Sequence, residues 1–458
     1  MNNLREVDIV SYDKDGKGIC YIDGKITFIE GALINEKCLV KVFKETKKVN
    51  LASLEKVLIK NESRVESDCP YYPLCGGCQL RHINYETEAK VKQDKVYNTI
   101  VHQANQKDFK MNDIIKADNL YNYRNKAIIP FQKINNKIVY GMYENKSHNI
   151  VSINKCLIEP TLLPNILEEV KLYLEKENIS IYDETTKKRI FRGLMLRKNV
   201  NNEYLVVLIS TVNYDFKDLA LILKEKFKEI ISIYLNINTF NNNVMLGYDN
   251  RLICGEKLIY ETILGHKFGV SVNTFLQVNH DQTEKLYQKA IDELNPNSDD
   301  IVIDCYCGMG SITLSIAPKV KEIYGIEVVD QAIINAKDNA KLNNITNAYF
   351  ECGKCEDLIL KYVKKHKVTK IVFDPPRKGC EQSFLDVIKE SKIKTIVYVS
   401  CNVASLARDI KYLSDTYNLI SVTPTDLFPK THHIETIAKL ELKKWFESRK
   451  TAPFLEEF

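Results

Sequence analysis

The sequence predicts a multidomain α/β protein, and three observations support this prediction. Residues 1–58 alternate apolar and polar side chains between tight DG and GKG turns, which is typical of about five short β-strands. The middle of the chain mixes strand-like runs, for example at residues 244–246, with helical segments, for example at residues 86–105, as in an α+β domain. From about residue 281 onwards, apolar strands and helices alternate regularly, which indicates a doubly wound and largely parallel sheet.

With 458 residues, the chain is long enough for about three domains. We expect residues 1–58 to form a small closed β-barrel of the OB type, residues 59–275 a central α+β domain, and residues 276–458 a Rossmann-like α/β domain. Small barrels of this type often bind single-stranded nucleic acid, and a purely structural β-module is the alternative interpretation.

Composition narrows the functional classes. Lysine and arginine number 65 against 60 aspartate and glutamate residues, so the net charge of +5 permits a polyanionic partner without requiring one. The opening MNNLREVDIV lacks the apolar segment of a secretory signal, and no apolar run has the length of a transmembrane helix. The 13 cysteines, an odd number, fit a reducing cytosol better than a disulfide framework. We therefore expect a cytoplasmic protein that does not bind membranes.

The segment DCYCGMGSITL, residues 304–314, predicts a nucleotide-binding turn. An apolar strand leads into Gly308 and Gly310, where the backbone could approach a ligand at the start of a helix. Glu327 ends the following strand, where a carboxylate can accept hydrogen bonds from both hydroxyls of a ribose. Because the turn has GxG without the GxxG of a dinucleotide motif, the pattern favours S-adenosylmethionine over NAD.

Two further predicted strands should end at the same edge of the sheet. Asp374 opens a DPP turn after the strand 370–373, and turns of this kind after the fourth strand are typical of methyltransferases. Cys401 follows the apolar run TIVYV and would lie beside the predicted methyl donor. A thiolate that adds to C6 of uracil makes C5 nucleophilic enough to attack a sulfonium methyl group. The alternative is a buried structural cysteine, which is common in proteins.

Such a reaction needs a base that removes the C5 proton. The segment DLFPKTHHIET, residues 426–436, contains the candidates Asp426, His432, His433 and Glu435, and the residues alone do not select one of them. A metal site at the two histidines is disfavoured, because no second group with zinc-protease spacing occurs in the sequence.

Taken together, these motifs resemble those of the RNA uracil-5-methyltransferase family, which makes 5-methyluridine in bacterial ribosomal and transfer RNA. The resemblance covers essentially the whole chain and includes an N-terminal TRAM-type barrel. The matching motifs occur in the family's order: FLQVN at 275–279, DCYCGMGSITL at 304–314, DPPRKG at 374–379, SCN at 400–402 and FPKTHHIET at 428–436.

The resemblance implies a role for particular residues. It makes Cys401 the nucleophile and Glu435 the proton acceptor. It also implies a set of residues that bind S-adenosylmethionine: Gln277, Tyr306, Glu327 and Asp374. Many family members have Asn or Asp where this chain has Ser311, so we expect no cofactor contact from Ser311.

A cysteine cluster stands apart from these motifs. Cys69, Cys75 and Cys78 form a C-x5-C-G-G-C pattern, and Cys156 is a remote fourth candidate. Close cysteines in a cytosolic chain most often hold a metal or a cluster, and four thiolates suit either tetrahedral zinc or a [4Fe–4S] cluster. The three-plus-one arrangement resembles the iron–sulfur site of the ribosomal-RNA branch of the family. We therefore expect a [4Fe–4S] cluster with a structural or RNA-contacting role.

The expected partner is RNA, with a uridine flipped out of a single-stranded loop of 23S ribosomal RNA. Ribosomal RNA is favoured because the bacterial transfer-RNA branch of the family typically lacks both the barrel and the cluster. Transfer RNA is the alternative substrate, and no obligate protein partner is expected. An RNA cytosine-5-methyltransferase is disfavoured because its nucleophile usually follows a proline. A non-catalytic RNA-binding or ribosome assembly factor is disfavoured because both Cys401 and Glu435 are present.

Cations beside aromatic residues are additional candidates for RNA contact. They occur at residues 123–126 and 191–197, with an ordinary solvated surface as the alternative. Arg377 and Lys378 directly follow the Asp374 turn and could hold a phosphate near the site.

Overall fold

The computed structural model describes residues 4–13, 15–145, 147, 149–240 and 242–444. The chain forms two compact units. The first comprises residues 1–95, 142–151 and 428–433, and the second comprises the remainder. The division at residues 58 and 275 stays a prediction. Among the described helices, none combines the length and the apolar character that a membrane span requires.

The first unit begins with a six-stranded sheet, one strand more than the sequence predicts. Its strands are β1 (Leu4–Asp8), β2 (Ser11–Tyr12), β3 (Gly18–Ile22), β4 (Lys25–Ile29), β5 (Lys37–Glu45) and β6 (Val49–Ile59), in the order β1-β5-β6-β4-β3-β2. The segment between β1 and β2 closes this sheet, because Ile9 N–H donates to Glu36 on one side and Val10 N–H donates to Ile19 on the other. Alternate residues of β5, such as Cys38 and Val40, fill the interior, which matches the predicted alternation.

The middle of the chain contains a seven-stranded sheet and a hairpin. Its elements are α1 (Tyr85–Gln103), β7 (Lys110–Met111), β8 (Lys126–Ile134), β9 (Lys137–Tyr143), β10 (Ile150–Ser152), α2 (Leu163–Lys176), β11 (Phe191–Lys198), β12 (Tyr204–Ser210), α3 (Lys217–Lys226), β13 (Ile230–Ile237), β14 (Asp249–Gly255), β15 (Ile259–Ile263) and β16 (His266–Val270). The large sheet has the order β10-β9-β8-β11-β12-β13-β14, and β15 pairs with β16.

The strand expected at residues 244–246 is absent from this described segment, and β14 begins at Asp249 instead. The carbonyl groups of Val244 and Met245 accept hydrogen bonds from the Asn238 side chain, at 2.7 and 2.8 Å. Because this side chain occupies the acceptors that a strand would use, the segment forms a loop.

The C-terminal part has the predicted alternation of strands and helices. Its elements are α4 (His280–Leu294), β17 (Ile301–Cys305), α5 (Ser311–Ile316), β18 (Glu322–Glu327), α6 (Asp330–Leu342), β19 (Ala348–Cys352), α7 (Cys355–Lys365), β20 (Lys370–Phe373), α8 (Gln382–Ser391), β21 (Thr395–Ser400), α9 (Val403–Leu413), β22 (Tyr417–Thr425) and β23 (Glu435–Leu442).

These strands form an eight-stranded sheet with the order β19-β18-β17-β20-β21-β23-β22-β7. Strands β17 to β21 are mutually parallel, whereas β23 runs antiparallel to both β21 and β22. The carboxyl ends of β17, β18, β20 and β21 therefore meet the amino end of β23 at one edge. The strand order reverses between β17 and β20, and open α/β sheets bind ligands at such a point.

Candidate active site

The turn after β17 has an unusual backbone. Tyr306, Gly308 and Gly310 all adopt positive φ angles, of 61°, 54° and 85°. A side chain at Gly310 would be strained by this angle, and its Cβ would lie 3.2 Å from the ring of Phe350. At Gly308 the equivalent position faces open space, so the backbone is accessible there. The sequence therefore predicted correctly that these glycines shape an open turn before α5.

Glu327 lies beside this turn, as the sequence predicts. Its Oε2 atom accepts a hydrogen bond from Gly308 N–H at 3.3 Å. Its Oε1 atom accepts from the N–H groups of Val328 and Val329 at 2.8 and 3.0 Å. These contacts fix the carboxylate at the start of α6, where a bound ribose could meet it.

Strand pairing brings Cys401 and Glu435 together. Ser400, the last residue of β21, pairs with Thr436 of the antiparallel β23. Cys401 directly follows β21, and Glu435 is the first residue of β23. The two residues therefore lie opposite each other. Glu435 is buried with 1% of its surface exposed, and among the described residues no hydrogen-bond donor contacts its Oε2 atom. A half-buried thiol and a buried carboxyl group thus share one edge of the sheet.

Electrostatic effects connect these two groups to Asp374 and Arg377. Burial, together with the carboxylates of Glu435 and Asp374, raises the pKa of the Cys401 thiol to about 12, although the Arg377 guanidinium acts to lower it. Burial also raises the pKa of Glu435 well above its usual range, with Asp374 adding to this rise and Arg377 opposing it. Burial raises the pKa of Asp374 itself to about 7. Asp374 and Arg377 are therefore close enough to influence the protonation of Cys401 and Glu435.

The loop that carries Asp374 and Arg377 is held by α9. Asn402 caps this helix by accepting from Ala404 N–H at 3.1 Å, and its Nδ2 donates to the Arg377 carbonyl at 2.9 Å. Asn402, which directly follows the predicted nucleophile, thus fixes the loop that contains Arg377.

Asp409 supports the same loop and was missed from the sequence. Its buried Oδ2 accepts from Cys380 N–H at 2.9 Å and from the Tyr398 hydroxyl at 2.8 Å. An acidic residue between Leu406 and Ile410 on an apolar helix face was the signal that could have revealed it.

Tyr287 is a second residue that the sequence did not reveal. Burial raises the pKa of this tyrosine above its usual value, and the charges of Asp374 and Glu435 raise it further, which indicates that its hydroxyl lies near both carboxyl groups. Ser311 Oγ donates to this hydroxyl at 3.4 Å, so Ser311 has a partner within the protein. No sequence signal distinguishes Tyr287 from the other buried residues of α4, such as Leu286.

The remaining predicted cofactor residues occupy separate positions on the chain. Gln277 is buried, and its carbonyl group accepts from Asn125 Nδ2 at 3.0 Å. The ring of Tyr306 packs against Phe384 with 5.4 Å between the ring centroids. The structure fixes the surroundings of both residues, and their contact with a cofactor stays a prediction.

The expectation of RNA contact at residues 191–197 is not supported for three of its side chains. Phe191, Arg192 and Arg197 are each at most 1% exposed. The Arg192 guanidinium lies 4.6 Å from the centroid of the Tyr182 ring, and Arg197 Nη2 donates to the Thr274 carbonyl at 2.7 Å. These side chains stabilise the interior, because buried guanidinium groups need internal partners.

The cysteine cluster lies in a loop of the first unit. Cys69, Cys75 and Cys78 are half-buried, and Gly77 N–H donates to Cys75 Sγ at 3.4 Å. Burial raises the pKa of Cys78, the Arg81 guanidinium lowers it, and the thiols of Cys75 and Cys69 raise it. The three thiols are thus close enough to interact.

These donors have the chemistry that an iron–sulfur cluster requires. Gly76 is also a tight position, because a Cβ there would lie 3.1 Å from the Tyr143 carbonyl oxygen. In the described part of the chain, however, no three or more His, Cys, Asp or Glu side chains are arranged to hold a metal ion. Cys156 is half-buried in the second unit. The ligand set for a [4Fe–4S] cluster therefore stays a prediction.

Comparisons with known proteins agree with the fold. Residues 84–443 match the family model described as tRNA (Uracil-5-)-methyltransferase. An uncharacterized RNA methyltransferase of Staphylococcus epidermidis is 37% identical over 95% of this chain and 97% of its own length. One from Staphylococcus aureus is 36% identical over 96% of this chain and 99% of its own length.

A solved structure has the same fold. It is the tRNA (uracil-54, C5)-methyltransferase of Pyrococcus abyssi in complex with S-adenosyl-L-homocysteine. The two structures align with a TM-score of 0.77 and 24% sequence identity, over 95% of this chain and 99% of the archaeal chain. Since the family model spans most of the chain and relatives match nearly its full length, the chain belongs to the tRNA (uracil-5-)-methyltransferase family.

Proposed function

We propose that this protein transfers the methyl group of S-adenosylmethionine to C5 of a uridine in RNA, and that 23S ribosomal RNA provides the uridine. The observation that carries this proposal is the pair formed by Cys401 and Glu435 at the ends of two neighbouring strands. This pair lies at the sheet edge that also carries Glu327 and Asp374. A nucleophile, a base and a nucleotide-binding turn are thereby combined at one edge.

The reaction requires Cys401 to act as a thiolate. It adds to C6 of the uracil, and the resulting electron density at C5 attacks the methyl group. S-adenosylmethionine would supply this methyl group as an electrophile, and its sulfur would keep the electron pair of the broken S–CH3 bond as S-adenosylhomocysteine. The Glu435 carboxylate then removes the C5 proton, the C6–S bond breaks, and the Cys401 thiolate is released.

The charges in the site fit these roles. Because burial and the nearby carboxyl groups raise the pKa of Cys401, little thiolate exists in the free protein near neutral pH, and Arg377 opposes this effect. The raised pKa of Glu435 makes its carboxylate a stronger base than an exposed glutamate. Since the two negative charges disfavour each other, ionisation of one group suppresses ionisation of the other.

Several features support S-adenosylmethionine as the methyl donor. The open backbone at Gly308 and the carboxylate of Glu327 form a cradle suited to a nucleoside. The Pyrococcus abyssi relative is in complex with S-adenosyl-L-homocysteine, the demethylated form of this donor. We assign further contacts to Gln277, Tyr306 and Asp374 on the basis of the family motifs.

A [4Fe–4S] cluster at Cys69, Cys75, Cys78 and Cys156 is part of this proposal. The electrostatic effect of Cys75 and Cys69 on Cys78 and the tight backbone at Gly76 support it. No step of the methyl transfer requires an electron. We therefore assign such a cluster a structural role, in which it would stabilise the loop.

Transfer RNA is the second candidate substrate, and two findings favour it. The family model and the Pyrococcus abyssi enzyme are both named for transfer RNA. The archaeal structure also covers 95% of this chain, so the N-terminal strands do not discriminate between the two substrates. The preference for ribosomal RNA therefore depends on the pattern of cysteines.

A single experiment tests both parts of the proposal. Purified protein is incubated with radiolabelled S-adenosylmethionine and with unmodified large-subunit ribosomal RNA or transfer RNA in parallel. We expect label in 5-methyluridine from ribosomal RNA. Label in transfer RNA alone would retain the chemistry and overturn the substrate, whereas absence of label from both RNAs would contradict the enzymatic proposal.

A further inference from the structure

Two buried oxygen atoms at the ends of neighbouring strands have no hydrogen-bond partner among the described residues. They are Oγ1 of Thr425, the last residue of β22, and Oε2 of Glu435, the first residue of β23. The two residues are 0% and 1% exposed. Buried polar atoms almost always have a partner in folded proteins, so two exceptions on adjacent strands require an explanation.

Strand pairing places these two side chains next to each other. Thr425 and Glu435 are directly opposite in the antiparallel pair of β22 and β23. The side chains of such a pair project from the same face of the sheet, with about 4.5–5.5 Å between their Cβ atoms. Since Cys401 lies opposite Glu435 on the other side, Glu435 has the proposed nucleophile as one neighbour and a threonine hydroxyl as the other.

Helix α4 covers the face of the sheet from which both side chains project. Ile437, two residues after Glu435, packs in the same apolar core as Leu286 of α4. Because side chains alternate along a strand, Glu435 lies on the same face as Ile437, and so does Thr425 as its direct partner. The pair is therefore enclosed by protein, where a missing hydrogen bond is costly.

The carboxylate form of Glu435 is difficult to maintain in this position. Burial raises the pKa of Glu435 well above its usual range, and the charge of Asp374 adds to this rise, whereas Arg377 opposes it. A hydroxyl group that donates to a buried carboxylate stabilises its charged form. Thr425 lies beside Glu435 with its Oγ1 unpartnered among the described residues, so its proton is available for such a bond.

We propose that the Thr425 hydroxyl donates a hydrogen bond to the Glu435 carboxylate during the reaction, and that Thr425 is thereby a positioning residue for the base. Strand pairing already fixes the main chain of both residues, so a change of side-chain rotamer brings the two oxygen atoms together. Thr425 keeps its own proton, and its effect is on the orientation and charge of the carboxyl group. The inference rests on the proposed function, because it assumes that Glu435 removes the C5 proton.

The experiment compares three variants of the full chain. Thr425→Val removes the hydroxyl group and keeps the branched shape and almost the same volume. Thr425→Ser is the conservative variant, because it retains a hydroxyl at the same position. The matched control is Thr436→Val, since Thr436 is equally buried and its Oγ1 also lacks a partner among the described residues. As the residue next to Glu435 in β23, Thr436 has its side chain on the opposite face of the sheet.

We expect Thr425→Val to lower kcat about tenfold, as for the loss of one hydrogen bond to a charged group, while KM for S-adenosylmethionine stays unchanged. A covalent protein–RNA adduct should accumulate on ordinary RNA, because Cys401 still adds to C6 and only proton removal is slowed. The Tm of Thr425→Val should equal or exceed that of the wild type, since an unpartnered buried hydroxyl destabilises the free protein. Thr425→Ser should retain most of kcat, and Thr436→Val should match the wild type.

Wild-type kcat without adduct in Thr425→Val would overturn the inference. A loss of activity with a lower Tm and no adduct would also overturn it, because a purely structural defect has these effects. Trapping of the wild type by 5-fluorouridine RNA separates such a failure from failure of the proposed function. If the wild type forms the trapped complex and Thr425→Val behaves like Thr436→Val, only the role of Thr425 is wrong. If the wild type forms no complex, the proposed mechanism is wrong.

Discussion

Two cysteine-containing regions of this protein are organised by different physical means. Cys401 follows β21, which pairs with β20 on one side and β23 on the other, so backbone hydrogen bonds determine its position. Cys69, Cys75 and Cys78 lie in a loop, outside any regular strand or helix. A sheet can therefore assemble a reactive site from its own geometry, whereas a loop of cysteines depends on side-chain contacts or on a bound metal.

The electrostatic surroundings of the two regions also differ. Beside burial, the charges near Cys401 are mainly carboxylates, which raise the pKa of its thiol. Burial has the largest effect on the pKa of Cys78 and raises it. The largest effect of a charge comes from the Arg81 guanidinium, which lowers it. A nearby cation favours the thiolate, which is the form that ligates a metal. The raised pKa of Cys401 means instead that its thiol must lose a proton before it can act as a nucleophile.

The largest expected effect comes from removing Cys401, the proposed nucleophile. Cys401→Ala should lower the rate of methyl transfer by on the order of 10⁴-fold or more, because no other group can form the bond to C6. The measurement is methyl incorporation together with trapping by 5-fluorouridine RNA. Cys352→Ala, at an exposed cysteine of the same sheet, is the control. Undiminished trapping in Cys401→Ala would show that another residue is the nucleophile.

Replacing Glu435, the proposed base, should have the next largest effect on the rate. Glu435→Gln should lower kcat by about 10²-fold to 10⁴-fold, the usual contribution of a general base. Because addition to C6 does not require this carboxylate, the variant should accumulate a covalent adduct with ordinary RNA. Gel electrophoresis of the denatured complex measures this adduct. A variant with normal kcat would direct attention to His432 or His433 instead.

Replacing a cysteine of the loop should change the bound iron and sulfide and leave the covalent step at Cys401 intact. Cys78→Ser should abolish bound iron and acid-labile sulfide, because serine is a poor ligand for a [4Fe–4S] cluster. Iron and sulfide are measured per chain after anaerobic purification, with Cys352→Ser as the control. Trapping of RNA by Cys401 should persist, with activity reduced about tenfold or less. Absence of iron from the wild type would refute the cluster.

The smallest expected effect concerns Arg377. For the wild type, log kcat/KM should rise with pH between about 6 and 9, because the pKa of Cys401 is raised to about 12 and the thiolate fraction grows with pH. Arg377→Ala removes a charge that lowers this pKa, so kcat/KM should fall roughly 3-fold to 10-fold at each pH. Lys361→Ala is the control, since Lys361 is an exposed lysine that pairs with Glu351. Identical pH profiles for the wild type and both variants would contradict this electrostatic role.

Local patterns were sufficient for much of the fold and of the candidate site. The helix expected at residues 86–105 is α1 (Tyr85–Gln103), and the strands that precede Asp374 and Cys401 have the expected positions. These features depend on hydrophobic periodicity and turn residues within a few positions of each other. The strand expected at residues 244–246 failed because the contacts that prevent it come from the Asn238 side chain, outside the periodic pattern.

The sequence by itself determined which residue types follow each strand of the parallel sheet, because the alternation of strands and helices is a local property. Only the tertiary structure revealed the surroundings of Tyr287 and Asp409 and the hydrogen bond between Glu88 and Lys430. Glu88 and Lys430, for example, are 342 positions apart in the chain, yet Lys430 N–H donates to Glu88 Oε1 at 2.6 Å. Such contacts follow from the packing of whole elements against one another, and no spacing along the chain encodes them.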